Sequence, residues 1–196
     1  RVSVKDSREG WVYALEQLIW HSLNSVALTL VFDISEVRPA GRPIVGFGGT
    51  AAGPMPLMLM LQQVATLIEK QRGKKPDPLF AMEVDHQIAT CVVAGNVRRS
   101  ARMSICHWLD PQIFQFISCK TDPQKHWSTN ISVEVDQEYF DAINDNDSKL
   151  SVHAHNVLDA VVKGMLTNGE PGFYNSSLAA EGERGDVRAT NPCGEL

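Results

Sequence analysis

Asn130-Ile131-Ser132-Val133-Glu134-Val135 alternates polar and apolar side chains, the period-two signature of a strand. Gln137 to Ala142 turns helical directly after it. His153 to Leu166 then carries Val157, Leu158, Val161, Val162 and Met165 at helical spacing. Gly172-Phe173-Tyr174-Asn175 reads as a further short strand. Strands separated by helices predict α/β architecture with mainly parallel pairing.

The same rhythm extends toward the start of the chain. Asp6 or Ser7 can cap a helix whose apolar face carries Trp11, Leu15, Leu18 and Ile19. Ser25 to Ile34 reads as a valine- and leucine-rich strand, closed by the turn-forming Arg38-Pro39-Ala40-Gly41. A loop from Gly46 to Pro54 holds four glycines within eight residues. A helix follows from about Pro56, where proline suits the first turn, to Gln71. Gly73 to Pro78 is a connector, and a second helix runs from about Leu79 to Ala94 into Gly95-Asn96-Val97-Arg98-Arg99-Ser100-Ala101-Arg102. Arg102 to Ile105 is a candidate edge strand, Pro111 to Ile117 a short helix, and Asn144 to Ser148 a polar surface loop. No internal repeat, low-complexity tract or convincing linker interrupts the 196 residues.

Composition sets bounds. Hydrophobic residues make up 43% and charged residues 21%, ordinary for a globular domain with its own core. A formal charge of −5 and a pI near 5.7 argue against a nucleic-acid coat or a polybasic membrane patch. The most apolar run, Pro54 to Ile68, is broken by Pro56, Gln62 and Gln63 and is too short to span a bilayer. No signal-peptide pattern opens the chain. The four cysteines, Cys91, Cys106, Cys119 and Cys193, show neither zinc-ligand pairing nor a disulfide framework, so reduced thiols in a cytoplasmic setting are expected.

Chemistry concentrates at Ala189-Thr190-Asn191-Pro192-Cys193-Gly194-Glu195-Leu196. In an extended segment Asn191, Cys193 and Glu195 project to one side, placing a thiol between an amide and a carboxylate. Pro192 and Gly194 allow a tight loop tip. Such a set suits a cysteine reagent flanked by a hydrogen-bonding group and a base; the plain alternative is one cysteine on a frayed segment.

Five collinear stretches carry a family resemblance. Asn191-Pro192-Cys193-Gly194-Glu195-Leu196 resembles the finger loop of ribonucleotide reductases. Asp6-Ser7 with Gly10-Trp11 resembles the start of the helix at their specificity-effector site. Val37 to Pro43 and Phe47 to Pro54 look like the first effector loop, and Val93 to Ala101 is similar to the second. Gly169-Glu170-Pro171-Gly172-Phe173 matches the segment before the finger loop. The wording is most similar to the adenosylcobalamin-dependent (class II) enzymes, especially the monomeric ribonucleoside-triphosphate reductases.

The resemblance implies roughly the first half of a ten-stranded α/β barrel. Residues 1–196 would be one partial catalytic domain, with an effector-loop region about 1–105 and a region leading to the finger loop about 106–196. It implies that Cys193 becomes a thiyl radical and abstracts the 3′-hydrogen of a ribonucleotide, with Glu195 as base on the 3′-hydroxyl and Asn191 holding the ribose hydroxyls. Asp6, Ser7, Arg38, Gly48, Gly49, Thr50, Gly53, Asn96, Arg98, Arg99 and Ser100 would serve the effector or substrate nucleotide. Glycine-rich backbone approaches phosphate or base closely, and paired guanidiniums suit bidentate contacts. Plain readings stand beside these: a flexible connector for the glycines, a solvated face for the arginines, a helix cap for Asp6.

The implied cofactor is adenosylcobalamin, bound mostly outside this chain. Implied partners are a ribonucleotide substrate, a deoxynucleotide allosteric effector, a thioredoxin-type dithiol and a C-terminal half of the barrel; neither nucleic acid nor membrane is expected. The reducing cysteine pair is not in the chain, so the isolated chain is expected to be inactive. No metal site is expected: His153-Ala154-His155 lacks a third ligand and reads as surface. Cys91, Trp108, Trp127, Met55, Met58 and Met60 read as core. Two alternatives remain, a non-catalytic nucleotide-binding regulatory module and a glycyl-radical enzyme of the same barrel type.

Overall fold

The computed structural model describes residues 1–24, 29–45, 48–94, 100–145 and 148–194. These form two compact units, one of residues 1–76 and 83–100, the other of residues 77–82 and 101–196.

In the first unit, β1 (Val2–Ser3) pairs parallel with β2 (Phe32–Asp33), Val2 opposite Phe32. Between them runs α1 (Arg8–Asn24), whose amide at Gly10 donates to Ser7 Oγ at 3.0 Å, making Ser7 the cap. Leu18 is buried on the predicted face together with Ala14, while Trp11, Leu15 and Ile19 flank that stripe half-buried. α2 (Met55–Gln71) buries Leu57, Met60, Leu61, Val64 and Ile68, one stripe at helical spacing, with Pro56 in its first turn. Met55 and Met58 stand on the other side of α2 and are exposed, so of the three methionines read as core only Met60 is buried. The strand expected over Ser25 to Ile34 is restricted, among the described residues, to Phe32–Asp33; residues 25–28 lie outside them. A strand persists only where a partner satisfies its backbone, and β1 offers two residues. α3 (Pro78–Val93) divides between the two units and buries Cys91, as expected of a core thiol.

The second unit is built on a three-stranded sheet in the order β3 (Met103–His107), β4 (Asn130–Val135), β5 (Gly172–Asn175). Both ladders are parallel, with Cys106 opposite Val133 and Val133 opposite Phe173. The α/β expectation with parallel pairing therefore holds. α4 (Ile113–Ser118) follows β3, and α5 (Gln137–Asn144) and α6 (Lys149–Asn168) follow β4. After β5 comes α7 (Ser176–Ala179), a single turn capped by the Asn175 side chain that the sequence reading passes over.

β4 alternates in sequence but is covered on both sides. Ile131, Val133 and Val135 are buried, and so is Ser132, as expected for the middle strand of a parallel sheet. Around it pack Trp108, Ile113, Phe116, Tyr139, Ala154, Val157 and Val161. Trp127, by contrast with Trp108, is half-exposed in the loop before β4 rather than in the core.

Asp136, directly after β4, ties this core together. Its carboxylate accepts from the Tyr139 amide at 3.0 Å as the cap of α5, from Trp108 Nε1 at 3.1 Å, and lies 3.2 Å from His107 Nε2. His107 Nδ1 accepts from the Leu109 amide at 3.2 Å, so the proton sits on Nε2 and points at the carboxylate. Burial would raise the Asp136 carboxyl, but the Tyr139 N–H, His107 and Trp108 together outweigh it and hold it below its usual 3.8.

A carboxyl depressed in the folded state stabilises at pH above its ordinary value, and that stability is lost as pH falls through the folded value. Asp136→Ala is expected to cost about 2–3 kcal/mol, a helix cap plus a buried hydrogen bond left without its acceptor, measured by urea unfolding at pH 7. Asp136→Asn is expected to flatten the fall in the urea midpoint below pH 4; an unchanged acid slope would exclude this carboxyl as its source.

Candidate functional site

The thiol that the sequence singles out sits on a turn. The Gly194 amide donates to the Asn191 carbonyl at 3.0 Å, which closes Asn191-Pro192-Cys193-Gly194 into a β-turn. Proline at its second position and glycine at its fourth suit such a turn, and Gly194 takes φ +79°. The segment is thus not extended through Cys193, and period-two alternation does not relate Asn191 to Cys193. The tight tip attributed to Pro192 and Gly194 is what forms. Asn191 and Pro192 are half-buried and Cys193 is exposed. Glu195 lies outside the described residues.

The turn is tied to the sheet. Asn130 Nδ2 donates to the Pro192 carbonyl at 2.7 Å across 62 residues of sequence. Asn130 is the first residue of β4, and its own amide donates to the Arg102 carbonyl at 2.9 Å. Just before it, Thr129 is buried; its carbonyl accepts from Lys120 Nζ at 2.6 Å and its hydroxyl shares a hydrogen bond with Ser104 Oγ at 3.0 Å. Lys120 in turn pairs with Glu170 at 2.5 Å, with both side chains mostly shielded. Sequence reading missed Asn130; its one signal is an amide side chain at the head of a strand, where asparagine is uncommon.

The other thiols differ sharply from Cys193. All four cysteines are free. Desolvation pushes Cys91 up to about 11 and Cys119 up to about 11; it pushes Cys106 up to about 12, helped by Asp110 and Glu134. Asp110 and Glu134 are charged neighbours of Cys106, and Lys120 and Glu170 of Cys119.

The residues expected to serve an effector fall in the first unit. Arg38 Nε donates to Asp6 Oδ2 at 2.6 Å, and Ser7 caps α1 beside them. The glycine-rich segment is a hairpin rather than an open loop. Gly41 N–H meets Ala51 O at 2.9 Å, Ala51 N–H meets Arg42 O at 2.7 Å, Ile44 N–H meets Gly49 O at 3.0 Å, and Pro43 bridges Thr50. Gly48 and Gly49 take positive φ within it. Gly53 does so as well, and a Cβ there would lie 2.8 Å from the Ala40 amide nitrogen, so only glycine fits. The amides of Gly41, Ile44, Gly48 and Ala51 are spent on this hairpin. Ser100 is half-buried; Asn96, Arg98 and Arg99 lie outside the described residues. The His153 ring is half-buried against Trp108 and Phe114, with Nε2 2.9 Å from the Trp108 carbonyl, so it is not surface. His155 is exposed and bonds back to the Ser151 carbonyl at 2.9 Å.

Residues 1–68 match the family model described as B12-dependent ribonucleotide reductase, insertion domain. Over nearly its whole length the chain is similar to adenosylcobalamin-dependent ribonucleotide reductases. It is 46% identical, over 98% of its length, to a Mycobacterium phage D29 protein named as a candidate adenosylcobalamin-dependent ribonucleoside-triphosphate reductase, of which it spans 30%. It is 36% identical, over 97% of its length, to the adenosylcobalamin-dependent ribonucleoside-triphosphate reductase of Lactobacillus leichmannii, of which it spans 26%. Its fold matches a crystal structure of a B12-dependent (class II) ribonucleotide reductase with a TM-score of 0.74 at 31% identity, covering 98% of this chain and 26% of that one. The chain thus spans between a quarter and a third of the relatives' length.

At neutral pH a disulfide reagent is expected to modify one thiol per folded chain rapidly, and this phase disappears in Cys193→Ser. Cys91 and Cys106 react on the timescale of unfolding, and half-buried Cys119 at a rate between the two. Two or more fast thiols in the native chain would contradict the burial pattern.

Proposed function

We propose that this chain supplies the radical-bearing cysteine and the specificity-effector region of an adenosylcobalamin-dependent ribonucleoside-triphosphate reductase. The observation that carries the proposal is the exposed Cys193 on a turn anchored to the sheet, in a chain similar over nearly its whole length to proteins named for that activity. In this reading residues 1–196 are one partial catalytic domain, about 1–105 serving the effector and about 106–196 leading to the thiol.

Adenosylcobalamin, when bound, supplies a carbon-centred radical. The described residues do not build a seat for it. His107, His153 and His155 are each committed to protein partners, and the thiol stands on an open turn. The chain's own chemistry begins at Cys193 Sγ, which gives up its hydrogen atom and then takes the 3′-hydrogen atom of the ribose, so the unpaired electron passes to C3′. Glu195 accepts the 3′-hydroxyl proton, and the 2′-hydroxyl, protonated by the reducing dithiol, leaves as water. Asn191 holds the ribose hydroxyls. The two electrons that complete reduction come from a dithiol, for which a thioredoxin-type reductant is the partner proposed. The setting is cytoplasmic; among the described residues no helix is long and apolar enough to cross a membrane.

The hairpin and the Asp6–Arg38 pair support a second role, binding of a deoxynucleotide effector by Asp6, Ser7, Arg38, Gly48, Gly49, Thr50 and Gly53, with Asn96, Arg98, Arg99 and Ser100 relaying to the substrate. Asp6 presents a carboxylate fit for a ribose hydroxyl, already oriented by a guanidinium.

The test grafts this chain in place of its matching segment in the Lactobacillus leichmannii enzyme. Deoxynucleotide formation is measured with a ribonucleoside triphosphate, adenosylcobalamin and a dithiol. Product that is abolished in Cys193→Ala, with deoxynucleotide binding retained, is the expected result. A folded, effector-binding chimera that yields no product would sink the catalytic reading and leave the non-catalytic nucleotide-binding module.

A further inference from the structure

We infer that Asn130 is the positioning residue of the cysteine turn, setting the orientation of Cys193 from the rigid head of β4; the inference rests on the reading of Cys193 as the reacting thiol. The Pro192 carbonyl and the Cys193 amide belong to one planar peptide unit. A hydrogen bond to Pro192 O therefore fixes the plane from which the Cys193 side chain departs. Pro192 has no N–H, so this carbonyl is the one backbone polar group by which the residue before the thiol can be held. Asn130 Nδ2 reaches it at 2.7 Å.

The anchor is itself held from several directions. The Asn130 amide donates to Arg102 O at 2.9 Å, and its carbonyl accepts from Thr129 Oγ1 at 2.9 Å. Thr129 is fixed by Lys120 at 2.6 Å and by Ser104 at 3.0 Å. A side chain one residue along a buried strand thus hands its rigidity to a turn that is otherwise closed by its own Gly194–Asn191 bond. An exposed polar residue at a strand head needs no such partner, and water would serve it equally. What makes Asn130 particular is where its N–H goes. Catalysis by a thiol depends on holding the sulfur in reach of one hydrogen of the substrate, and small misplacements cost rate steeply.

The experiment compares Asn130→Ala and Asn130→Asp with the unaltered chain. The aspartate keeps the shape and removes the N–H donor. Amide hydrogen exchange is read by NMR at Gly194, with Val133 in the middle of β4 as the reporter of intact fold. Loss of one hydrogen bond of ordinary net strength is expected to speed Gly194 exchange about fivefold in both variants while Val133 is unmoved. Asn168→Ala removes a side-chain bond to the Lys120 carbonyl nearby and is expected to leave Gly194 unchanged. In the chimeric enzyme both Asn130 variants are expected to lower kcat about tenfold or more with KM unaltered.

Gly194 exchange that is unchanged in both Asn130 variants, or equally fast in Asn168→Ala, overturns the anchor. Faster Gly194 exchange with kcat unchanged overturns the positioning role. If Cys193→Ala turns over like the parent chimera, the functional reading fails on its own, and Gly194 exchange still decides whether Asn130 holds the turn.

Discussion

Strand β4 is the constraint on which the second unit depends. It lies between two parallel neighbours and is buried on both faces, so its register and position are fixed by packing on every side. Each end of it then does separate work. After its C-terminal end, Asp136 caps α5 and receives the Trp108 indole, joining strand, helix and core aromatic in one carboxylate. At its N-terminal end, Thr129 and Asn130 are braced by Lys120, Ser104 and Arg102, and Asn130 reaches out to the cysteine turn. A displacement of β4 would disturb the core and the thiol together.

The distribution of thiols follows from the same architecture. Cys106 lies in β3 against the core, Cys91 inside α3, and Cys119 at the end of α4, and burial raises all three well above an ordinary thiol. A buried thiol in apolar surroundings resists both ionisation and oxidation. Cys193 is placed on the surface of the unit by a turn whose conformation proline and glycine prescribe. Of the four thiols Cys193 is the one that is exposed, and the chain holds it by a hydrogen bond to the residue before it. Chemistry that puts an unpaired electron on sulfur gains from having a single reachable site.

Much of this was legible in the residues. The helices over Met55–Gln71 and Pro78–Val93, the strand Asn130–Val135 and the strand Gly172–Asn175 follow from apolar spacing and from where proline and glycine stand. The Ser25 to Ile34 run misleads because an apolar stretch records burial, whereas a strand also needs a partner of equal length. Met55, Met58 and Trp127 mislead for the converse reason, since a large apolar side chain does not fix which face of its element is covered. At the site, the composition of Asn191-Pro192-Cys193-Gly194 contains both the turn and the thiol, yet the alternation argument takes the segment as extended where the proline–glycine pair folds it. Asn130 lies 62 residues from the carbonyl it holds, and no local pattern carries a contact between a strand head and a distant turn.

The role of Cys193 is tested most directly by the structure of the chimeric enzyme with a ribonucleoside triphosphate bound. Cys193 Sγ is expected within about 3.5 Å of the ribose C3′, the separation of a near-attack arrangement, with Asn130 still bonded to the Pro192 carbonyl. A nucleotide bound with its ribose turned toward a different side chain, and Cys193 left facing solvent, would contradict it.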